Sequence, residues 1–294
     1  MARKHFLKLL SLAPFAMSIG SLNDLSKISD NLPLSEKMPV LFLGHGSPMN
    51  AIEENEFVTG FRSVTKSIPK PSAILCVSAH WYTRGTKVTG MEMPPTIHDF
   101  GGFPKALFDV QYPAPGNPKL AQETKTLLDP IMVELDEKWG LDHGAWSVIK
   151  HLYPNADVPV IQMSIDFTKD PAYHFELAGR LTKLREKGVL IIGSGNILHN
   201  LRLVDFQNID KVGYGYDWAI EAHEKINTWL LDGNYSPLLD YKNHGQAIQL
   251  AIPTPDHYLP LIYTLGLQGK HENLELFNDK LMAGSLSMTS IKIS

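Results

Sequence analysis

Cysteine is nearly absent: Cys76 is the only one in 294 residues. No internal disulfide can form, so the fold must rest on a buried core and not on cross-links. No run of 18 apolar residues occurs, which excludes an ordinary membrane-spanning helix. Long basic runs are missing too, and 27 Lys and Arg are outnumbered by 31 Asp and Glu, giving a formal charge of -4. That balance offers no electrostatic footprint for nucleic acid or for an anionic membrane surface. Short Cys/His spacings of the zinc-finger kind are absent, and no internal repeat is visible.

What remains is the composition of a soluble globular protein, 44% hydrophobic and 20% charged. The length would allow one large domain or two small ones and can bury a sizeable core. Twenty prolines gather between the apolar runs, which suggests ordered, proline-shaped loops. Cys76 lies inside an apolar run and reads as a buried thiol, neither nucleophile nor ligand. The N-terminus carries Arg3, Lys4 and Lys8, then a small and apolar stretch from Leu9 to Leu22 broken by Pro14. It looks like a secretory leader, faintly of twin-arginine type, and equally like a plain extension. Residues 1–37 are therefore expected to be leader and linker, and 38–294 the catalytic domain. Cytoplasm or periplasm depends on whether that leader works.

The organising stretch is Val40-Leu41-Phe42-Leu43-Gly44-His45-Gly46-Ser47-Pro48. Four apolar residues read as a buried strand, and the glycines as a tight turn presenting one imidazole. Similar runs recur: Ala73 to Ala79 before His80, Gly188 to Ile192 before Gly193-Ser194-Gly195-Asn196 and His199, and Ile248 to Ile252 before Pro253-Thr254-Pro255-Asp256-His257. Val158 to Ile165 is a further strand, Thr86 to Met91 another, and Ser285 to Ile293 a final edge strand. Helices are expected over Asn55 to Ser67, Leu120 to Leu135, Asp170 to Lys187, Tyr216 to Leu231, Tyr235 to Asn243, Leu259 to Leu265 and Leu274 to Leu281. Asp170-Pro171 is a helix start and Gly188 a helix stop. His143 falls in a loop leading to a short helix that reaches His151. Strand, helix, strand with short connections argues a parallel pair with a helical crossover. The fold class is thus α/β: a single domain with a central, mostly parallel sheet flanked by helices, and a metal site at the strand C-terminal ends.

Imidazole suits Zn(II) and Fe(II) alike. His45, His80 and His257 follow three separate strand-like runs, and three protein ligands with open positions are the arrangement of a catalytic ion. His199, beyond the Gly-Ser-Gly turn, is a candidate base. Ser194 lacks the wider Gly-x-Ser-x-Gly elbow of a nucleophile. Asp142 or Asp256 would orient a neighbouring imidazole. His223 sits at the edge of an apolar stripe and reads as a packed histidine with a partner carboxylate. The aperiodic stretch from Met93 to Pro118 reads as a lid or pocket wall. Each of these histidines taken singly has a structural alternative.

Five segments together resemble a known family. They are Gly44-His45-Gly46-Ser47-Pro48-Met49, Ser78-Ala79-His80-Trp81, Leu141-Asp142-His143-Gly144-Ala145-Trp146, Gly193-Ser194-Gly195-Asn196-Ile197-Leu198-His199-Asn200 and Pro253-Thr254-Pro255-Asp256-His257-Tyr258-Leu259-Pro260. In this order they are similar to the class III extradiol ring-cleavage dioxygenases, in particular the 4,5-DOPA extradiol branch, over roughly Pro39 to Ile293. The resemblance implies that His45, His80 and His257 hold one divalent metal, Fe(II) for activity or Zn(II) as bound. It implies that His199 takes a proton from the catechol and that His143 lines the same pocket. It implies O2 as co-substrate, a small catechol such as L-DOPA as substrate, and a muconic semialdehyde-type product. Better-known enzymes of the wider class use two histidines and a glutamate, so His257 is a departure that removes a negative charge. The loops of His98-Asp99 and Gln111-Tyr112 would meet the amino-acid part of the substrate, and Trp81, Phe100 and Trp146 would wall its ring. Residues alone leave other readings open: a zinc-dependent hydrolase or amidase, a non-catalytic metal- or catechol-binding protein, or a structural α/β domain. Monomer and small homo-oligomer are both compatible with the sequence.

Overall fold

The computed structural model describes residues 37–294. The leader-like stretch and nearly all of the linker lie outside them. An eight-stranded mixed sheet forms the middle layer. Its centre is four parallel strands in the order β5 (Val160–Asp166), β2 (Ala73–Thr83), β6 (Val189–Gly195), β1 (Val40–Gly44). On one side β3 (Thr86–Thr89) joins β5 antiparallel and β4 (Val133–Asp136) closes that edge. On the other side β10 (Ser290–Ile293) joins β1 antiparallel and β7 (Leu274–Phe277) is the edge. A small ribbon of β8 (Leu281–Met282) and β9 (Leu286–Ser287) lies apart.

The near-continuous apolar runs follow from burial on both faces, as parallel central strands require. Val40 and Phe42 pack into one core with Leu177, Leu261 and Ile262. Leu41 and Leu43 point the opposite way, into a second core with Phe57, Phe61, Trp146 and Ile149. The period of two along a strand thus feeds two helical layers. One layer contains α1 (Glu56–Val64) and α3 (His143–Leu152). The other contains α4 (Pro171–Arg180), α5 (Asp217–Leu231) and α7 (Leu259–Gly266). Each large apolar side chain fully buried in this way contributes about 1.5–3 kcal/mol. Cys76 is buried in the second core, and burial pushes its thiol well above its ordinary value. Asp170 caps α4 by accepting from the Tyr173 N–H at 2.9 Å, with Pro171 in the first turn, as expected. Among the described residues no helix is long and apolar enough to cross a membrane.

Several expected elements differ. Ile248 to Ile252 is not a strand; Gln246–Ala251 is a short helix, α6. A five-residue apolar run cannot separate the two by periodicity. Ala247, Ile248 and Ala251 fall on one helical face and are buried in the first core. The expected helix from Leu120 to Leu135 splits into α2 (Pro118–Leu127) and strand β4. Pro130 is the cause, because it cannot donate to a helix and biases Asp129 away from helical geometry. Leu274 to Leu281 begins as strand β7 where β10 offers a hydrogen-bonding edge. β10 itself is flanked on both sides, so the final strand is not an edge. His223 is satisfied as expected, with Nε2 at 2.7 Å from Asp279 and 3.2 Å from Thr289.

His174 on α4 is fully buried, with Nδ1 at 2.9 Å from the Tyr263 hydroxyl. Burial pushes its imidazole from 6.5 down to about 4. The folded state therefore keeps it neutral while the unfolded chain takes up a proton below about pH 6.5, so stability is present above that pH and lost on acidification towards about pH 4. Between about pH 7 and pH 4.5 this group should cost about 2–3 kcal/mol. Urea unfolding of wild type and His174→Gln at both pH values should show that much less acid sensitivity in the variant. Equal slopes would contradict the assignment.

Candidate metal centre

β1 ends at Gly44, and the His45 N–H bonds to the Gly195 carbonyl at 3.0 Å, so the turn grows off the neighbouring strand β6. Gly46 adopts φ 63°, a left-handed conformation that glycine takes without penalty. Asn50 Nδ2 donates to the His45 carbonyl at 2.9 Å and fixes the turn from the other side. His80 is not at a strand tip: β2 runs on to Thr83, with a register shift between Val77 and Tyr82 that re-aims the side chains around it. His143 is not in a loop but is the first residue of α3, whose cap is Asp142. His257 lies in the turn between α6 and α7, not after a strand. Its backbone reaches the sheet because Gly195 has no side chain; a Cβ there would come within 2.2 Å of the His257 carbonyl. His199 follows β6, with its N–H on the Ala251 carbonyl at 2.9 Å and a lone bridge to Leu286.

All five histidines converge. One ring nitrogen from each of His45, His80 and His257 lies within 4.8 Å of the others. His143 packs on His80 with ring centroids 3.9 Å apart, and His199 stacks on His257 at 3.5 Å and 11°. Burial, then the neighbouring His80 and His257 rings, holds His45 well below its usual range. Burial followed by His143 pushes His80 down to about 2, and burial followed by His257 pushes His199 down to about 3. These rings are therefore neutral at pH 7 and carry lone pairs.

The outer partners fix which nitrogen carries the lone pair. Ser194 donates its hydroxyl proton to the Gly144 carbonyl, so at 3.0 Å it must accept from His45 Nδ1. Carboxylates only accept: Asp256 accepts a hydrogen bond from His257 Nδ1, while Asp99 Oδ2 faces His80 Nδ1 at 3.3 Å as an electrostatic contact. Nε2 is then the nitrogen left free on His45 and His257, and the Asp99 charge favours the same arrangement at His80. The Nε2 atoms of His45 and His80 stand 3.4 Å apart and face each other. Two nitrogens at about 2.0–2.1 Å from one tetrahedral ion are separated by about 3.3 Å, close to this spacing. The donor set fits a divalent metal ion.

Of the two suggested orienting carboxylates, Asp256 serves and Asp142 does not. Asp142 is fully buried and accepts from Ser78 at 2.7 Å, from Gln162 and from the Ala145 N–H at 3.0 Å. Burial, then Asp99, raises its carboxyl above the usual value. Burial works against ionisation of Asp256, but the bond to His257 outweighs it and its carboxyl lies well below the usual range. Ser194 and Asp99 were not foreseen in these roles. The pairing of Leu43 with Ser194 across β1 and β6 places the serine beside His45, which no local motif announces.

Of the expected pocket walls, Phe100 lies 5.4 Å from His143, edge to face. Trp81 instead stacks on Trp139 at 5.7 Å, and Trp146 is fully buried with Nε1 on the Ile97 carbonyl at 2.8 Å. His98 and Tyr112 are spent on the carbonyls of Val110 and Tyr153, each at 2.9 Å, and so do not offer those polar atoms to a substrate.

The comparisons agree with this geometry. Residues 39–287 match the model of the catalytic LigB subunit of aromatic ring-opening dioxygenase. A 4,5-DOPA dioxygenase extradiol of Escherichia coli K12 is 47% identical over 270 residues, covering 90% of this chain and 98% of that protein. One from Beta vulgaris is 36% identical over 260 residues, covering 86% and 95%. A crystal structure of an uncharacterized protein from Escherichia coli K12 superimposes with TM-score 0.76 at 42% identity, covering 87% of this chain and 100% of that one. The chain therefore belongs to the LigB-type family of extradiol, aromatic ring-opening dioxygenases.

Proposed function

We propose that this dioxygenase cleaves a catechol such as L-DOPA with O2, at one divalent ion held by His45, His80 and His257. The carrying observation is the convergence of the three imidazoles, with Nδ1 of His45 and of His257 hydrogen-bonded outward and Asp99 facing Nδ1 of His80. Bound Fe(II) would supply the redox chemistry between the ring and O2, which Zn(II) cannot. The chain's own residues do the rest. His199 is neutral and takes the proton of a catechol hydroxyl at its free ring nitrogen. Its stacking on His257 fixes the plane from which it approaches. His143, on the far side of His80, supplies a polar atom for the second hydroxyl or the oxygen, and Phe100 beyond it packs against the ring. Cleavage beside the diol yields a muconic semialdehyde-type product. L-DOPA is supported by the relatives at 47% and 36% identity, both 4,5-DOPA dioxygenases by name. A catalytic domain of residues 38–294 is supported by the family model's span of 39–287.

The test is metal exchange. Apoprotein loaded anaerobically with Fe(II), then given L-DOPA and oxygen, should consume oxygen and form a yellow ring-opened product. The same protein loaded with Zn(II) should show no uptake. Silence with Fe(II) across several catechols would sink the proposal, and hydrolysis under Zn(II) would favour a hydrolase instead.

A further inference from the structure

Asp99 sits on the aperiodic loop between β3 and α2, far in sequence from everything it touches. One oxygen, Oδ2, lies 3.3 Å from His80 Nδ1. The other, Oδ1, accepts the His143 backbone N–H at 2.8 Å and lies 3.0 Å from His143 Nδ1. Neither ring nitrogen is aligned for a hydrogen bond to the carboxylate, so both contacts are electrostatic, and His143 Nδ1 has no other partner. The His143 N–H belongs to the first turn of α3, whose unpaired donors and dipole favour a carboxylate.

The loop is pinned on both sides of this contact region. Thr96 bridges to Leu141, the Ile97 N–H bonds to the Leu141 carbonyl at 2.7 Å, and Trp146 Nε1 holds the Ile97 carbonyl at 2.8 Å. Phe100 is wedged against His143. The landing place for His80 is also shaped. Gly144 lacks a side chain where a Cβ would lie 2.7 Å from His80 Cδ2 and 2.5 Å from Ser78 Oγ. Any larger residue would push the His80 ring away from the helix start and from Asp99.

We propose that Asp99 is a positioning residue that fixes His80 and His143 as one unit. Its charge, 3.3 Å from His80 Nδ1, favours the tautomer with the proton on that atom and so turns the Nε2 lone pair toward the metal position. By holding the start of α3 it sets the distance from that ligand to the pocket histidine. The wall of the pocket and one metal ligand are thereby carried by a single carboxylate, so a change in the loop is felt at the ion. This rests on the metal-ligand reading above, and deepens it by naming what tunes one ligand.

Asp99→Asn keeps the size and the Oδ1 acceptor but presents an amide to His80 in place of an acceptor-only group. The expected result is Zn(II) affinity lowered about 10- to 100-fold in chelator competition, as for other outer partners of ligating histidines. The absorption spectrum of the Co(II)-substituted variant should shift, and Asp99→Glu should recover part of both, while far-UV circular dichroism stays that of wild type. Imidazole 15N shifts of wild-type apoprotein should report His80 as the Nδ1–H tautomer, a readout that does not depend on any variant folding. His45→Ala run in the same assay separates the two readings. If it loses metal while Asp99→Asn binds within about threefold of wild type with an unchanged Co(II) spectrum, the Asp99 proposal is overturned alone. If His45→Ala binds normally, the ligand set itself is wrong. An Nε2–H tautomer at His80 in the apoprotein would also overturn the role given to Asp99.

Discussion

His45→Ala is expected to abolish stoichiometric metal binding. Changing an outer partner of a ligating histidine costs about 10- to 100-fold in metal affinity, and removing the ligand itself must cost more than about 100-fold. The other groupings able to hold an ion, His80 with Asp99 and His143 and His257 with Asp256 and His199, would each keep only one of the two remaining ligands. His80 and His257 would be left as two imidazoles, and the nearest further nitrogens, on His143 and His199, belong to rings packed on them and not to the same convergent set. The backbone should survive, because the turn is held by the Gly195 carbonyl and by Asn50 and not by the imidazole. Metal content of the purified variant after Fe(II) or Zn(II) loading and desalting is the measurement, with thermal unfolding as the control for folding. One equivalent retained would remove His45 from the ligand set. Turnover should vanish with the metal, since no other group described can activate O2.

His199→Ala should show the opposite pattern, metal kept and turnover lost. General acid–base groups contribute typically about 10²–10⁴-fold, and kcat should fall by that order. The affinity for metal should hardly move, because His257 keeps its Nδ1 bond to Asp256 when the stacked ring is removed. His199→Gln, which refills the space beside His257, guards against a trivial loosening of that ligand. Metal content by atomic absorption, together with oxygen uptake on L-DOPA, separates the roles. A variant that binds Fe(II) and turns over within a few-fold of wild type would show that the catechol proton goes elsewhere. The pair of variants distinguishes two histidines that face one cavity for different reasons: His45 gives its lone pair to an ion, His199 to a proton.

The proposed ligand set of His45, His80 and His257 contains no carboxylate and so brings no negative charge to the ion's immediate surroundings. The fold returns charge one bond further out. Asp256 bears on His257 and Asp99 on His80, and both carboxyls lie below their usual values despite burial, because the adjoining histidines favour the ionised form. Only His45 has a neutral outer partner, the Ser194 hydroxyl.

Much of this was legible along the chain. Val40 to Leu43, Ala73 to Ala79, Val160 to Ile165 and Val189 to Ile192 are apolar on both alternating sets, so burial on two faces is written into them. Asp170-Pro171 marks a helix start by chemistry that acts within one turn and stands where expected, whereas the helix expected to run to Lys187 is two pieces ending at Arg180 and Arg185, before Gly188. His45, His80 and His257 were each nameable near glycine, tryptophan or proline, His143 beside Gly144, and His199 beyond a Gly-Ser-Gly turn. The misreadings share a cause. Ile248 to Ile252 and Leu274 to Phe277 are short apolar runs whose state is decided by what they pack on: a helix face for the first, the free edge of β10 for the second.

The sequence by itself determined which side chains can hold an ion and which strands must be buried, because residue type and short-range pattern set both. The tertiary structure alone decided which nitrogen of each imidazole faces inward. That choice belongs to Ser194, Asp99 and Asp256, and the first two reach their histidines only through strand register and a pinned loop. Hydrogen bonds act over about 3 Å, and partners 19 to 149 residues apart come within that range only after the two cores have closed.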